Sequence, residues 1–328
     1  MKQYHVYGLG AALVDTEIEV TDDFLQTANI EKGLMTLVDE ARQSELLELM
    51  KDHLVGSKRA SGGSACNSII AASYFGAKTY YSCKVANDEN GQFFHHDTQA
   101  AGVNIQKDAL PAGTTGKCLV MITPDAERTM NTFLGISETL DESQLDHEAI
   151  AQSEYLYLEG YLVTSPSGKA AAIKAREVAE KNKVKTSISL SDPGMVQFFS
   201  DGLKEMIGSQ VDLIFCNKDE ALGWTKTENI EQAAEKMKLS AKTFAITLGK
   251  EGALVFDGET LSRIEGNSVK AIDTNGAGDM FAGAFLYAIT AGKTFPEAAV
   301  LANLAAAKVV SQYGPRLKPE QHEALKTN

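Results

Sequence analysis

The sequence predicts an α/β fold: a doubly wound, mostly parallel sheet with a small β-sheet lid. Three observations predict it. From residue 155 onward, short apolar runs alternate with helix-like stretches. Polar clusters follow those runs, at the strand ends where doubly wound sheets hold their ligands. In the first half, two segments alternate or turn like antiparallel strands instead.

Along the chain, Val6 to Ala12 reads as a strand, Thr16 to Val20 as an antiparallel β segment and Glu40 to Leu54 as a helix. Lys117 to Phe133 again turns like antiparallel structure. Residues 13–38 and 107–136 are therefore expected to form the lid, and residues 1–12, 39–106 and 137–328 the large body. Tyr155 to Glu159, Thr186 to Leu190, Leu213 to Cys216 and Phe244 to Leu248 read as buried parallel strands, separated by helices near 168–182, 195–207 and 229–238. The clusters Ser191-Asp192-Pro193, Asn217-Lys218-Asp219-Glu220 and Gly249-Lys250-Glu251-Gly252 follow strands, so they share one rim.

Composition excludes several classes of function. With 328 residues, 44% of them hydrophobic and 23% charged, the chain is an ordinary globular protein able to bury a large core. No apolar run approaches the roughly 20 residues of a membrane span, and Met1-Lys2-Gln3-Tyr4-His5 lacks a signal-peptide core, so a cytoplasmic location is expected. The formal charge of −13, with no Lys/Arg block, argues against nucleic-acid or membrane partners. A polyanionic ligand must then be held by amides, a metal ion or single basic residues. Cys66, Cys83, Cys118 and Cys216 are far apart without a Cys-x-x-Cys, and read as buried thiols. His95-His96, with no third ligand nearby, reads as an exposed helix face.

The most informative segment is Asp273-Thr274-Asn275-Gly276-Ala277-Gly278-Asp279, which runs straight into an apolar helix. Gly276, Ala277 and Gly278 would leave backbone N–H groups open at a helix start, where the dipole also favours negative charge. Asp279 would stand beside them, placed to accept a proton from an attacking hydroxyl or simply to cap the helix. Ser61-Gly62-Gly63-Ser64-Ala65-Cys66-Asn67-Ser68 likewise enters a helix; its glycines allow close backbone approach, and Asn67 offers a donor and an acceptor suited to a polyol. Asp15, after the first strand, could hold vicinal hydroxyls. Gly8-Leu9-Gly10 falls short of a dinucleotide fingerprint, because Leu13 replaces its third glycine. Asn217 and Glu220 share a face of a helical turn, where they could order the water shell of Mg²⁺ or form a capping box. Thr247-Leu248-Gly249 with Gly252 could pass under a nucleotide or make a plain hairpin.

Gly62-Gly63-x-x-x-Asn67, Asn217-x-x-Glu220 and Asp273-Thr-x-Gly-Ala-Gly-Asp279 occur in this order across nearly the whole chain. Together they resemble the ribokinase-like carbohydrate kinases, the PfkB family. Within it, the stretches 61–68, 159–164, 189–193 and 211–221 are most like the adenosine-phosphorylating members. One departure is Ala11-Ala12, where those members usually carry Asn-Pro and the Asn helps to hold the nucleoside.

The resemblance implies an ATP-dependent kinase acting on a primary hydroxyl of a ribosyl substrate, above all the 5′-hydroxyl of adenosine. Asp279 would be the base, the amides of Gly276, Ala277 and Gly278 the anion hole, and Arg128 a cation approaching the phosphates. Asp15, Gly62, Gly63 and Asn67 would bind the sugar, and Met130, Phe133, Tyr161 and Leu162 would sandwich a base. Thr247, Gly249 and Gly252 would contact ATP, with Asn303 near its adenine. Mg²⁺ would lie near Asn217 and Glu220, bound through water, and K⁺ near Asp273 and Ser311. A monomer or a homodimer is compatible with the family. A kinase of a free sugar or sugar phosphate is the alternative, and a non-catalytic binding protein a lesser one, against which Asp279 speaks.

Overall fold

The computed structural model describes residues 2–51, 58–106, 110–125 and 127–326. In chain order the strands are β1 Tyr4–Leu9, β2 Leu13–Glu19, β3 Met35–Leu37, β4 Lys58–Gly62, β5 Thr79–Ser82, β6 Asn104–Ile105, β7 Thr115–Ile122, β8 Arg128–Gly135, β9 Ser153–Glu159, β10 Lys185–Ser189, β11 Val211–Asn217, β12 Ala241–Thr247, β13 Ala253–Phe256 and β14 Leu261–Ile264. Nine of them form one sheet in the order β14-β13-β12-β11-β10-β9-β1-β5-β6, parallel from β12 to β6 and closed at the other edge by the antiparallel pairs of β13 and β14. The remaining five make the smaller sheet, β3-β8-β7-β2-β4.

Side chains alternate across each strand, so the two faces of the large sheet feed two cores. Leu156, Leu158, Ile214, Phe244 and Ile246 meet the helices Pro166–Lys181, Ser200–Ile207 and Ile230–Met237 on one face. Tyr155, Tyr157, Leu213, Phe215 and Ala245 meet the helices Ser64–Phe75, Ala277–Thr290 and Phe295–Val310 on the other. The first two of these helices supply residues to the site.

Four readings are corrected. The first strand ends at Leu9 and a new one begins at Leu13, the break occurring where Gly10 must lie against the Glu159 carboxylate: a Cβ there would be 2.5 Å from Oε2. β2 is antiparallel to β4, as expected of Thr16 to Val20, but parallel to β7 on its other side, while β7 and β8 form the expected antiparallel hairpin. β4 belongs to the smaller sheet and not to the large body expected over residues 39–106. The helix Glu40–Leu49, capped by Asp39, also covers that sheet, burying Leu46 with Ile18, Leu119 and Met121. Finally, the helix foreseen over 195–207 is two helices, Pro193–Phe198 and Ser200–Ile207, broken at Phe199. Residues 52–54 and 107–109, within foreseen elements, lie outside the described residues.

Candidate active site

A cavity of about 380 Å³ opens between the carboxyl ends of β9, β11 and β12 and the inner face of the smaller sheet. Its floor is the start of helix Ala277–Thr290. Gly276 takes the left-handed conformation (φ 73°) and no side chain caps the helix; Ala277 N donates to the Thr274 carbonyl (3.3 Å), and Gly276 to Asp279 line the cavity. Pro315 presses on Gly276 so closely that a Cβ would be 2.6 Å from Pro315 Cα; only glycine fits. Asp279 does not cap its own helix. Its Oδ1 accepts from Ser64 Oγ (2.6 Å) and its Oδ2 from Asn67 Nδ2 (3.3 Å), both on helix Ser64–Phe75. Gly63 (φ 98°) precedes that helix, packed against the Ala11 carbonyl.

Burial raises the Asp279 carboxyl above the usual range, while Ser64, Asn67, Arg128 and Arg316 pull it down. Asp15 is pushed up to about 8 by burial, against the opposing field of Arg316. It lies over Gly62, whose missing Cβ leaves room for the carboxylate. Glu159 is raised to about 7 by burial even though it accepts from Ala65 N (2.8 Å) and Ala11 N (3.4 Å). Asp15, Glu159 and Asp279 thus share one pocket with the helix start.

Asn217 and Glu220 do form a capping box, with Glu220 N donating to Asn217 Oδ1 (2.8 Å) and Asn217 N to Glu220 Oε2 (3.1 Å). The same two residues line the cavity. Burial pushes Glu220 up to about 7. The loop after β12 is a hairpin, yet Thr247 and Gly249 still line the cavity. Among the described residues, no group of three or more His, Cys, Asp or Glu side chains is arranged to hold a metal ion. His96 is exposed and His95 half-buried on helix Glu89–Ala100; three cysteines are buried and Cys83 partly so.

Residues 39–322 match the pfkB family carbohydrate kinase model. The chain belongs to this kinase family. It is 26% identical over 347 residues to an adenosine kinase of Schizophyllum commune, covering 97% of this chain and 98% of that one. Among solved structures it is similar to an adenosine kinase from Sinorhizobium meliloti (34% identity, TM-score 0.93, 99% of each chain). It is also similar to a probable sugar kinase from Rhizobium etli CFN 42 (33%, TM-score 0.93, 100% of this chain and 99% of that one). As a PfkB-family kinase with the ribokinase-like α/β fold, it transfers phosphate to a hydroxyl group with ATP as co-substrate. No helix among the described residues is long and apolar enough to cross a membrane.

Most residues singled out from the sequence of this kinase line the one cavity: Asp15, Gly63, Asn67, Arg128, Met130, Tyr161, Leu162 and the rim from Asn217 to Asp279 already described. Six do not. Gly62 lies against the Asp15 carboxylate. Phe133 is on the wrong face of β8: Arg128, Met130, Thr132 and Leu134 point into the cavity, and an odd position points away. Gly252 (φ 97°) is packed against the Ile264 carbonyl in the hairpin. Asn303 donates to the Glu265 carbonyl (3.1 Å). Asp273 accepts from Asn275 N (2.8 Å) and Gly314 N (2.9 Å), and Ser311 Oγ turns back to the Lys308 carbonyl (2.7 Å). Sequence reasoning missed Glu159, although a carboxylate closing a buried parallel strand was a usable signal. It also missed the lid residues Leu13, Met35, Leu37 and Leu134, and Arg316.

Proposed function

We propose that this kinase phosphorylates the 5′-hydroxyl of a ribosyl nucleoside, with adenosine as its best substrate. The observation that carries the reading is that two kinds of side chain line the same cavity. One set is polar, Asp279, Asn67, Asp15 and the helix-start backbone of Gly276, Ala277 and Gly278; the other is apolar, Leu13, Met35, Leu37, Met130, Leu134, Tyr161 and Leu162. Vicinal hydroxyls suit the first set, and the flat apolar faces of a purine suit the second.

Asp279 takes the proton from the hydroxyl as it attacks, and the helix-start amides stabilise charge on the transferred group. Asp15, Gly63 and Asn67 hold the ribose. Arg128, whose Nη1 lies 3.4 Å from Met130 Sδ at the cavity edge, meets the phosphates, while Thr247 and Gly249 border ATP. Mg²⁺ fits this donor set through water, near Asn217 and Glu220, with its direct ligands coming from phosphates and solvent; bound there it neutralises phosphate charge. K⁺ dependence, near Asp273 and Ser311, belongs to the same proposal and is tested by exchanging K⁺ for Na⁺.

A cavity-lining Ala11 supplies no amide to a base, so shape and apolar contact carry the nucleobase preference. Competition kinetics test the reading. Adenosine is expected to exceed ribose, fructose and sugar phosphates in kcat/KM; a free sugar or sugar phosphate that outperforms every nucleoside overturns it in favour of a sugar kinase.

A further inference from the structure

Behind the site, the segment following helix Phe295–Val310 touches it at three consecutive residues. Gly314 N holds Asp273 Oδ2 (2.9 Å), Pro315 lies on Gly276, and Arg316 spreads its guanidinium over three partners. Arg316 Nε donates to Asn67 Oδ1 (3.1 Å), Nη1 to Asp97 Oδ2 (2.9 Å) and Nη2 to Ser61 Oγ (2.9 Å). Its side chain is 15% exposed and does not line the cavity. An amide has one accepting and one donating end, and a guanidinium only donates. With its oxygen on Arg316, Asn67 turns its NH₂ to Asp279; the flipped amide would set oxygen against carboxylate and NH₂ against guanidinium.

We infer that Arg316 is a positioning residue for Asp279, fixing the Asn67 amide so that its NH₂ is committed to the carboxylate that receives the hydroxyl proton. The inference rests on the proposed role of Asp279 as base. Around that carboxylate stand the donors Ser64 and Asn67, the cations Arg128 and Arg316, and the acids Asp15, Glu159 and, more weakly, the Tyr157 hydroxyl. Loss of Arg316 removes a cation and frees the amide, and both changes raise the pH at which Asp279 ionises.

Full-length Arg316→Met and Arg316→Lys test this. Arg316→Met is expected to lower kcat near pH 7 by roughly tenfold, the scale of one hydrogen bond to a charged group. The acid limb of kcat moves to higher pH, KM for ATP stays near the wild-type value, and Arg316→Lys recovers part of both losses. In an Asn67→Ala background the same substitution adds a smaller loss, because the two residues act in series. Carboxyl-carbon NMR without substrate follows Asp279 directly and is expected to show its titration moved upward in Arg316→Met. An unmoved Asp279 titration, or an unmoved acid limb with only thermal stability reduced, overturns the inference. Wild-type protein that titrates as described but turns over no substrate instead sinks the proposed reaction. Should Arg316→Met not fold, Asp97→Asn, which loosens Nη1, is expected to move the titration the same way.

Discussion

Any side chain at Gly283 would overlap the carbonyl oxygen of Ser68, so helices Ala277–Thr290 and Ser64–Phe75 touch backbone to backbone there. One turn earlier on each helix, Asp279 meets Ser64 (2.6 Å). The close approach is what lets short side chains span the gap. A Cβ at residue 283 would also stand 2.7 Å from Ala71 Cβ, leaving no direction in which it could relax. Gly283→Val is therefore expected to cost about 1–3 kcal/mol of stability through overpacking and to lower kcat by parting Asp279 from Ser64 and Asn67. Thermal unfolding and turnover check it; a stable variant with unchanged kcat would show that the helix contact does not set the site.

Asp279→Asn keeps the shape of the side chain but cannot take a proton. A loss in kcat of ~10²–10⁴-fold is expected, with nucleoside affinity little changed, because Ser64 and Asn67 retain a polar partner. Single-turnover kinetics with a separate binding titration measure the two. A loss smaller than tenfold would assign the proton to another group, and Glu159 would be examined next.

The parallel strands were legible because burial on both faces leaves continuous apolar runs, as in Leu213-Ile214-Phe215 of β11. The glycine loop and Asp279 were legible because a helix start that must bind anions needs residues without side chains at fixed positions. β4 was not, since Lys58-Arg59-Ala60-Ser61-Gly62 carries no apolar alternation and owes its state to register with β2. Phe133 was misplaced by a single position, which in a strand exchanges the two faces. Arg316 was invisible: its bond to Asn67 spans 249 positions, and local pattern carries no trace of such a contact. Glu159 was quoted within a strand end but not read as chemistry, because its amide partners, Ala11 and Ala65, are anonymous in sequence.

Glu220→Gln tests the outer sphere of the metal. The amide can still serve one of the two Asn217 donors, so the cap is weakened rather than lost. The Mg²⁺ concentration for half-maximal rate is expected to rise by roughly 10–100-fold, as when a partner of metal-bound water is removed. An unchanged Mg²⁺ titration with lower thermal stability would reduce Glu220 to a helix cap.

Asp15→Asn carries a stability prediction whose sign runs against the usual carboxylate. Burial lifts the folded-state carboxyl from its ordinary 3.8 to about 8, so the folded chain holds this proton more tightly than the unfolded chain does. Stability then falls as pH rises wherever the folded state binds the extra proton. The window opens near the unfolded value, about 4, and closes near the folded value, about 8. Below it both states are protonated and the acid costs nothing; above it the full penalty of a buried charge is present. Asparagine, isosteric and neutral, escapes that penalty. Measured without substrate, Asp15→Asn should match the wild type in thermal stability near pH 4 and exceed it by a margin that grows up to about pH 8. Above about pH 8, where the wild-type acid is ionised, the same variant should bind nucleoside more weakly, since an amide accepts fewer hydroxyl hydrogen bonds than a carboxylate. A stability gap that stays flat between those two pH values would mean that Asp15 is ionised throughout, held so by Arg316, and that the pocket is wetter than its burial implies.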